Sequence, residues 1–361
     1  MSENIKDECG VFGIYDKSRL GNIAQQVYFG LFALQHRGQE AAGIAVNNDR
    51  EITLVKNMGL VSEVFNDSIL AKLNGEIAIG HVRYSTTGNN TPENAQPISV
   101  KYAKGNLTVS HNGNITNAKE LRDKLEAKGA IFHTTSDSEV ISYLIAIQRL
   151  KSKSIEDAVE KVFPMLQGAF SLLIMSPRKL IAVRDKFGIR PLCMGKLQDN
   201  VIFASESCAF ETIGATFERD VRPGEIVIVT EEGIESNEKY CGHSGGLCIF
   251  EHIYTARPDS VIDGQGVNEA RMNAGKMLAK IAPADADLVI GVPDSGLPAA
   301  IGYSHQSGIP YGVGLIKNRY IGRTFIQPTQ AMRERSVALK LNTLKSNVEG
   351  KRLVMVDDSI V

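Results

Sequence analysis

The sequence predicts two folds in succession: an α+β sandwich and then a shorter α/β domain built on a parallel sheet. At 361 residues the chain is too long for one typical domain. Many short strands with a few helices fill residues 9–235, and a glycine-rich stretch follows within 236–250. Over 251–361 the pattern changes to helix, strand, loop and helix, as in βαβ units. These three segments are therefore predicted to be a first domain, a linker and a second domain.

The first predicted domain consists mainly of strands bounded by turn residues. Each helix carries an apolar stripe with helical spacing behind a polar first turn. The strands are rich in aliphatic and β-branched residues. The helices are predicted over 116–128 and 137–150, and the strands over 75–84, 107–110, 169–175, 179–184, 201–205 and 225–230.

The second predicted domain begins with an amphipathic helix. Two of its strands end in polar loops, at Asp294 and at Asp357–Asp358. In an open α/β sheet ligands bind beyond the carboxyl ends of the strands, so these loops are candidate binding sites. The helix is predicted over 267–281, and the strands over 288–292, 310–314 and 352–356, with another helix after the first strand.

Composition excludes several classes of function. Forty Lys and Arg residues against 41 Asp and Glu give a net charge of −1, which offers no bulk electrostatic case for nucleic acid. No apolar run approaches the roughly 18 residues of a membrane span. The five cysteines are scattered and odd in number, which favours a reducing cytoplasm over a disulfide framework.

A polar leader over residues 1–8 precedes Cys9, which opens a short apolar run. The leader has no apolar core, so it is not a secretory signal. If it is removed as a propeptide, Cys9 carries a thiol and a free α-amine, whose reference pKa of about 8 suits a general base. The alternative is an ordinary buried cysteine at the start of a strand.

Several short polar motifs follow in an otherwise apolar domain. Taken singly, each has a structural explanation: Asp137 as a helix N-cap, His111 as the start of an Asn-Gly turn, and Arg83 as a surface ion pair. The motifs are L-Q-H-R-G-Q-E (34–40), H-V-R-Y-S-T (81–86), H-N-G-N (111–114) and T-T-S-D-S-E (134–139).

Together with C-G-V-F-G at Cys9, these ordered motifs resemble the class II glutamine amidotransferases, which are N-terminal-nucleophile hydrolases. The resemblance covers residues 9 to about 235 and implies an αββα sandwich that releases ammonia from glutamine. It implies that Cys9 attacks the glutamine amide after loss of the leader. It also implies that Asn112 and Gly113 supply the oxyanion hole, a task suited to neutral donors.

The same resemblance implies three residues that bind or frame glutamine. Arg83 holds the carboxylate, a bidentate task suited to guanidinium. Asp137 holds the ammonium group. Arg37 orders the loop around the nucleophile.

The second domain carries a basic stretch and a strand that ends in paired acids. The structural alternatives are a solvated basic face and an acidic cap of a strand. Acids in this place can contact ribose hydroxyls and a hard divalent cation such as Mg²⁺. The motifs are E-H-I-Y-T-A-R-P-D-S (251–260), V-P-D-S-G (292–296), K-N-R-Y-I-G-R-T-F-I (317–326) and V-D-D-S-I-V (356–361).

These four motifs resemble the type I phosphoribosyltransferase half of the glutamine phosphoribosylpyrophosphate amidotransferase family. The implied reaction converts glutamine, phosphoribosyl pyrophosphate and water into 5-phosphoribosylamine, glutamate and pyrophosphate, the first step of de novo purine synthesis. The implied Mg²⁺ positions are Ser295, Asp357 and Asp358. The implied phosphoribosyl pyrophosphate site combines both acids with Lys317, Arg319 and Arg323, and a flap over 317–335 is predicted to close on it.

The resemblance carries further expectations. The family's phosphate-binding loop would follow Val361, so the second domain is predicted to be incomplete and its transferase activity weak or absent in this chain. Cys248 matches a ligand of a [4Fe–4S] cluster in one branch of the family, although cluster-free relatives also have a cysteine there. Purine nucleotides are expected as feedback inhibitors, and the protein is expected to be a homo-oligomer.

Two rival functions are weighed against this hypothesis. One is a class II amidotransferase that aminates a sugar phosphate, whose partner domain would lack V-D-D-S-I-V. The other is a non-catalytic regulator that binds phosphoribosyl pyrophosphate, which would have lost the nucleophile or the glutamine-binding residues. Cys9, Arg83, Asn112 and Asp137 are all present, which argues against the regulator.

Overall fold

The computed structural model describes residues 9–19, 21–49, 51–84, 91–318 and 340–359. These residues form two compact units. The first runs to Cys248 and also includes Val261–Gly264, and the second comprises Ile249–Ser260 and the residues from Gln265 onward. Within the described ranges, none of the helices has the length and apolarity that crossing a bilayer requires.

Strands dominate the first unit, and most of its helices are short. The helices are α1 (Ile23–Ala33), α2 (Val61–Val64), α3 (Asp67–Leu70), α4 (Ala118–Glu126), α5 (Asp137–Lys151), α6 (Ile155–Val162) and α7 (Cys208–Thr212). The strands are β1 (Gly10–Tyr15), β2 (Ala41–Asn48), β3 (Glu51–Met58), β4 (Ile77–Arg83), β5 (Ile98–Tyr102), β6 (Gly105–Ile115), β7 (Gly168–Met175), β8 (Leu180–Arg184), β9 (Cys193–Leu197), β10 (Asn200–Ala204), β11 (Thr216–Asp220), β12 (Ile226–Val229), β13 (Ile234–Asn237) and β14 (Val261–Ile262).

Two sheets stack to form the body of this unit. One has seven strands in the order β11-β9-β10-β1-β4-β2-β3, and the other has six in the order β13-β12-β8-β7-β6-β5. Both are antiparallel in the pairings around the site: β1 pairs with β4 and β10, and β6 pairs with β5 and β7. Strand pairing of this kind lets each strand present alternate side chains to two different layers.

Three buried clusters follow from this alternation. Val11 and Ile79 of one sheet pack against Leu173 and Val227 of the other, which fills the space between the sheets. The opposite side of the seven-stranded sheet packs on α1 and α7, and the opposite side of the six-stranded sheet packs on α4, α5 and α6. Layers in the order helices, sheet, sheet, helices confirm the predicted αββα sandwich.

The second unit has a parallel strand pair with helices beside it. Strands β16 and β19 run parallel, with Leu288 opposite Leu353, and β17 and β18 form an antiparallel pair. The parallel sheet of the predicted α/β fold is therefore present. The elements are β15 (Gln265–Gly266), α8 (Val267–Ile281), β16 (Leu288–Gly291), α9 (Gly296–Ser307), β17 (Leu315–Lys317), β18 (Leu341–Thr343), α10 (Lys345–Val348) and β19 (Leu353–Val356).

One local prediction and two of the structural alternatives are wrong. Residues 310–314 do not form a strand, because Tyr311 makes only a single parallel bridge to Val289. His111 does not start a turn, since β6 continues through it to Ile115. The N-cap of α5 is Ser136, whose side chain accepts a hydrogen bond from the Ser138 amide, and Asp137 is the first helical residue.

The sequence signals also left elements unassigned. Helices α1 and α6 and strands β2 and β3 were not predicted, although each contributes to the buried layers. Strand β13 spans residue 235, the predicted end of the first domain, and the first unit continues to Cys248. The Phe163 and Tyr240 rings stack 4.5 Å apart, which anchors the predicted linker to the first unit.

Candidate active site

The polar motifs of the first unit meet at one end of the layer between the two sheets. On β1, Phe12 and Ile14 face the helices, whereas Val11 faces the other sheet. Cys9 lies two residues before Val11 and one residue before the strand begins, so alternation directs its side chain to the same layer. The Cys9 thiol is buried there and donates a hydrogen bond to the Tyr84 carbonyl at 3.4 Å.

Alternation on two further strands brings candidate residues to the same layer. On β4, Ile77 and Ile79 lie between the sheets, and Arg83 has the same parity. On β6, Leu107 and Val109 face the helices, so Asn112 faces the interior between the sheets. Arg83 and Asn112 are both buried, with exposures of 3% and 0%. The surface ion pair considered for Arg83 is therefore wrong.

Arg37 is hydrogen-bonded to the backbone of Cys9. Its Nε donates to the Cys9 carbonyl at 3.0 Å, and its Nη1 donates to Glu206 Oε1 at 2.5 Å. His36 Nε2 lies 2.7 Å from the same Glu206 oxygen. The side chains of Arg37 and Glu206 are both completely buried. This arrangement agrees with a role for Arg37 in ordering the chain around Cys9.

Asn112 lies close to Ser205, which also binds the backbone of β1, the strand that follows Cys9. The hydroxyl oxygen of Ser205 accepts a hydrogen bond from the Val11 amide at 3.0 Å and lies 3.5 Å from Asn112 Nδ2. Within the described ranges Asn112 Oδ1 is buried without a hydrogen-bond partner. Gly113 has φ +136°, and a Cβ there would lie 2.1 Å from the Ala169 carbonyl oxygen of β7. Only glycine fits at this point of the strand.

Asp137 lies at the start of α5, almost fully buried. Its Oδ2 accepts a hydrogen bond from the Ile115 amide at 3.0 Å, and its Oδ1 is 3.7 Å from His111 Nδ1. Burial alone would raise the pKa of Asp137, but the charge and hydrogen bond of His111 and the backbone donors lower it overall. The carboxylate therefore stays ionised and can hold a cationic group.

Arg83 is a buried cation among the candidate residues. Burial lowers the pKa of its guanidinium, and Cys9, when its thiol is ionised, opposes that shift together with Glu40 and Asp137. An arginine stays protonated in proteins, so Arg83 is a cation in a desolvated layer. Burial also lowers the pKa of neighbouring His81 to about 3, and this neutral imidazole donates from Nε2 to the His111 carbonyl at 3.0 Å.

The second unit presents its acids where β19 ends. The Ser295 hydroxyl donates to Asp358 Oδ2, and the Asp358 amide donates to Asp357 Oδ1 at 2.8 Å. Partial burial of the carboxyl and the charge of Asp358 raise the pKa of Asp357. A Cβ at Gly296 would lie 2.6 Å from the Val356 carbonyl oxygen, so a glycine is required for α9 to begin this close to β19.

This donor set fits a hard divalent cation. Two adjacent carboxylates and a hydroxyl offer only oxygen, and Mg²⁺ binds through one or two carboxylates together with water and substrate phosphates. The raised pKa of Asp357 comes first from partial desolvation, with the charge of Asp358 adding to it, and a bound cation would oppose both effects. Mg²⁺ bound here would supply charge neutralisation at a phosphate group.

The basic part of the predicted phosphate site is only partly described. Lys317 lies at the end of β17 and its Nζ forms an ion pair with Asp294 Oδ2. Arg319, Arg323 and most of the predicted 317–335 flap lie outside the described residues.

Within the described residues, no other thiolates are grouped around Cys248. A [4Fe–4S] cluster needs four of them, and in the described part of the chain no three His, Cys, Asp or Glu side chains form a group that could hold a metal. None of the five cysteines forms a disulfide, and the Cys248 amide donates to the Ile189 carbonyl at 3.2 Å. The resemblance places the other three ligands after Val361, so the described residues supply at most one of the four and the cluster stays a prediction.

Two residues at the first site carry no recognisable signal in the sequence. Ser205 and Glu206 follow β10 in the stretch S-E-S, which resembles any polar loop after a strand. They lie roughly 200 residues from Cys9 along the chain, so only the pairing of β10 with β1 brings them to it.

Comparison with known proteins agrees with this geometry. A family model described as "Glutamine amidotransferase domain" matches residues 81–212. An amidophosphoribosyltransferase from Methanocaldococcus jannaschii is 50% identical over 98% of this chain and 78% of its own length. The amidophosphoribosyltransferase from Bacillus subtilis is 48% identical over 99% of this chain and 75% of its own length.

Solved structures give the same result. The glutamine phosphoribosylpyrophosphate amidotransferase from B. subtilis, complexed with ADP and GMP, superposes with a TM-score of 0.89 at 48% identity. It covers 98% of this chain, which matches 76% of that structure. A second structure, titled as the allosteric regulatory enzyme of purine biosynthesis, gives a TM-score of 0.90 at 48% identity over 98% of this chain and 75% of its own.

The fold and the matches define an N-terminal-nucleophile glutamine amidotransferase joined to a phosphoribosyltransferase unit. The chain belongs to the amidophosphoribosyltransferase family. It is a glycosyltransferase that uses the ammonia of glutamine to convert phosphoribosyl pyrophosphate into 5-phosphoribosylamine, the first step of purine biosynthesis.

Proposed function

We propose that Cys9 is the nucleophile of the glutaminase half-reaction and that the polar groups around it bind glutamine. The observation that carries this proposal is the convergence of Cys9, Arg83 and Asn112 on the layer between the two sheets. A thiol, a buried cation and a side-chain amide form an arrangement with no evident value for packing, because burying polar groups costs stability. Their chemistry matches attack on a carboxamide.

Glutamine is held at its amino-acid end by two opposite charges. Arg83 pairs with the substrate carboxylate, and Asp137 accepts hydrogen bonds from the substrate ammonium. The lowered pKa of Asp137 keeps it anionic at neutral pH, which this role requires. Arg37 acts beside them by holding the Cys9 carbonyl.

The oxyanion of the tetrahedral intermediate is stabilised by Asn112 and Gly113. The Asn112 amide is neutral and held near Ser205, so it can donate without a large rearrangement. Gly113 is confined by the β7 backbone, which fixes the position of its own amide. The Cys9 α-amine is the general base once residues 1–8 are removed as a propeptide.

The second half-reaction takes place at phosphoribosyl pyrophosphate, bound by Lys317, Arg319, Arg323, Asp357 and Asp358. Ser295 and the two aspartates would hold Mg²⁺. The support is the oxygen-only donor set and the direct bond between Ser295 and Asp358. Arg319 and Arg323 enter this proposal on the motif alone, and the flap over 317–335 does so as well.

Finer properties follow the same family pattern. The first domain is assigned to 9–235, the linker to 236–250 and the second domain to 251–361. Purine nucleotides act as feedback inhibitors, in keeping with the ADP and GMP bound in the B. subtilis relative. The protein is a homo-oligomer of the cytoplasm, and the absence of disulfides among its five cysteines is compatible with a reducing compartment.

The decisive experiment compares Cys9→Ala with Cys193→Ala. Cys193 is a matched control because it is a buried cysteine in the same seven-stranded sheet. Cys9→Ala should lower glutamine hydrolysis by about 10⁴-fold or more, whereas Cys193→Ala should keep it. Phosphoribosylamine formation from added ammonia, where the parent chain shows it, should survive both changes. Glutaminase activity retained by Cys9→Ala would refute the proposal.

Intact mass spectrometry of the active protein tests removal of the leader. The expected mature chain begins at Cys9. A fully active protein that still carries Met1 or Ser2 would exclude the α-amine as the general base.

A further inference from the structure

Glu206 is a carboxylate with no exposed surface, and it is paired with Arg37. Its Oε1 accepts a hydrogen bond from Arg37 Nη1 at 2.5 Å and lies 2.7 Å from His36 Nε2. Its Oε2 is 3.8 Å from the Cys208 thiol. A buried carboxylate without partners would be strongly destabilising, so the Arg37 guanidinium explains how Glu206 is accommodated. These contacts do not explain why this buried position carries an acid.

Arg37 also contacts Cys9, and this second contact indicates the role of Glu206. The Arg37 Nε donates to the Cys9 carbonyl at 3.0 Å, so the guanidinium spans from Glu206 to the residue of the nucleophile. A guanidinium is planar and rigid. Fixing Nη1 on a carboxylate therefore also fixes the direction of the Nε–H bond.

The local backbone does little by itself to orient Arg37. It follows α1 in a single 3₁₀ turn over Gln35–Arg37, a short element with few constraints of its own. Glu206 follows β10, which pairs with β1. It contacts Arg37 although the two residues are 169 positions apart in the sequence. Glu206 therefore connects the loop that carries Arg37 to the sheet that carries Cys9.

We propose that Glu206 is a positioning residue for the nucleophile. It holds the Arg37 guanidinium in the orientation that fixes the Cys9 carbonyl, and through it the direction of the Cys9 thiol. This inference rests on the proposed role of Cys9. Glu206 touches neither glutamine nor the reacting atoms in this assignment.

The test uses Glu206→Gln, which keeps the shape and one oxygen acceptor but removes the charge. Glu225→Gln is the matched control, since Glu225 is another fully buried carboxylate paired with an arginine, at 2.8 Å from both Arg219 Nη1 and Nη2. Both variants are assayed for kcat and KM of glutamine hydrolysis, and for the rate at which a chloroketone analogue of glutamine alkylates Cys9.

Misplacement of a nucleophile by about 1 Å can cost about 100-fold in rate. Glu206→Gln is therefore expected to lower kcat and the alkylation rate by roughly 10- to 100-fold, with KM changed by less than about twofold. Glu225→Gln is expected to lower the thermal midpoint while leaving both rates near those of the parent. A loss of thermal stability alone cannot produce this contrast.

Glu206→Asp covers the case in which Glu206→Gln fails to fold. It keeps the charge but shortens the side chain by one methylene, so the contact with Arg37 lengthens and the same selective loss of kcat is expected. Parent-like kcat in whichever of these variants fold would overturn the inference while leaving the Cys9→Ala result intact. If Cys9→Ala keeps glutaminase activity, the proposed function itself fails. Equal losses in Glu206→Gln and Glu225→Gln would assign Glu206 a merely structural role.

Discussion

The two candidate sites are built in opposite ways. In the first unit, Arg37, Asn112 and Asp137 are almost completely buried, and their contacts come from strands and helices distant in sequence. In the second unit, Asp357 is exposed at the end of a strand, and Asp358 forms hydrogen bonds with Asp357, Ser295 and Ser359. One set of polar groups is enclosed, and the other is open to water.

This difference indicates how each site achieves its geometry. Buried polar groups must be satisfied by fixed partners, because water cannot replace a lost hydrogen bond. The glutamine site is therefore ordered by the fold itself. Adjacent carboxylates at a surface are screened by water and repel each other, so contacts within the fold constrain the second group of residues less than the first.

The largest expected effect distinguishes a buried arginine, whose acidic partner is exposed, from an arginine that is itself exposed. Arg184 is completely buried and binds both oxygens of Asp263, at 2.7 and 2.9 Å, along with three carbonyls. In the second unit, Arg352 binds Asp285 and Asp287 at an exposed position. Arg184→Ala should lower the free energy of unfolding by about 3–5 kcal/mol, whereas Arg352→Ala should barely move the thermal midpoint. Equal shifts in thermal denaturation would contradict the comparison.

The next prediction tests whether the Asp357–Asp358 pair, and not negative charge in general, supports the activity of the second unit. The double change Asp357→Asn and Asp358→Asn removes the cation-binding carboxylates. It should lower phosphoribosylamine formation from added ammonia by roughly 10²- to 10³-fold, measured against the parent chain. The rate of Cys9 alkylation should not change.

A matched control for this prediction lies on the same unit. Asp285→Asn with Asp287→Asn removes two acids whose carboxylates bind Arg352. Parent-like synthesis is expected from this control. A similar loss in both double variants would mean that general charge, and not the Asp357–Asp358 pair, governs the activity.

A smaller effect concerns the backbone of the glutamine site. Gly113→Ala would place a Cβ 2.1 Å from the Ala169 carbonyl oxygen, so β6 and β7 must separate locally. The expected loss is more than about 2 kcal/mol of stability. Gly214 also has a positive φ, +71°, but a Cβ there meets nothing within 4 Å. Gly214→Ala should cost only about 1 kcal/mol, and denaturant titration of the two variants gives the comparison.

The smallest expected effect is the pH dependence of stability that Lys56 contributes. Lys56 of β3 is half-buried and donates to the Glu93 carbonyl at 3.2 Å. Burial lowers its pKa from the ordinary 10.5 to about 8; the charge of Glu139 opposes this shift and that of Arg83 adds to it. Between pH 8 and 10.5 the unfolded chain then binds more protons at this group than the folded chain, so its contribution to stability rises with pH.

NMR of reductively methylated lysines would follow this amine. A resonance that titrates near pH 8 and disappears in Lys56→Arg is expected. Titration of every lysine above pH 10 would show that this part of the first unit is more hydrated than its burial indicates.

Much of the first unit could be predicted because its signals are local. Strands such as 169–175 are short apolar runs bounded by turn residues, and α8 of the second unit was placed at 267–281 from its apolar stripe. Residues 310–314 were mistaken for a strand because they have the composition of one, but only Tyr311 has a bridging partner. The apolar composition of a segment does not state whether a neighbouring strand is available to pair with it.

The sequence by itself determined the chemistry of this protein: which thiol, which cation and which paired acids are present, and in what order along the chain. The tertiary structure alone decided that Ser205 and Glu206 belong to the same site as Cys9. The physical reason is that side-chain identity is a property of one residue, whereas burial and hydrogen bonding depend on which distant strands are paired. The partners of a buried carboxylate such as Glu206 are therefore visible only when β1 and β10 lie side by side.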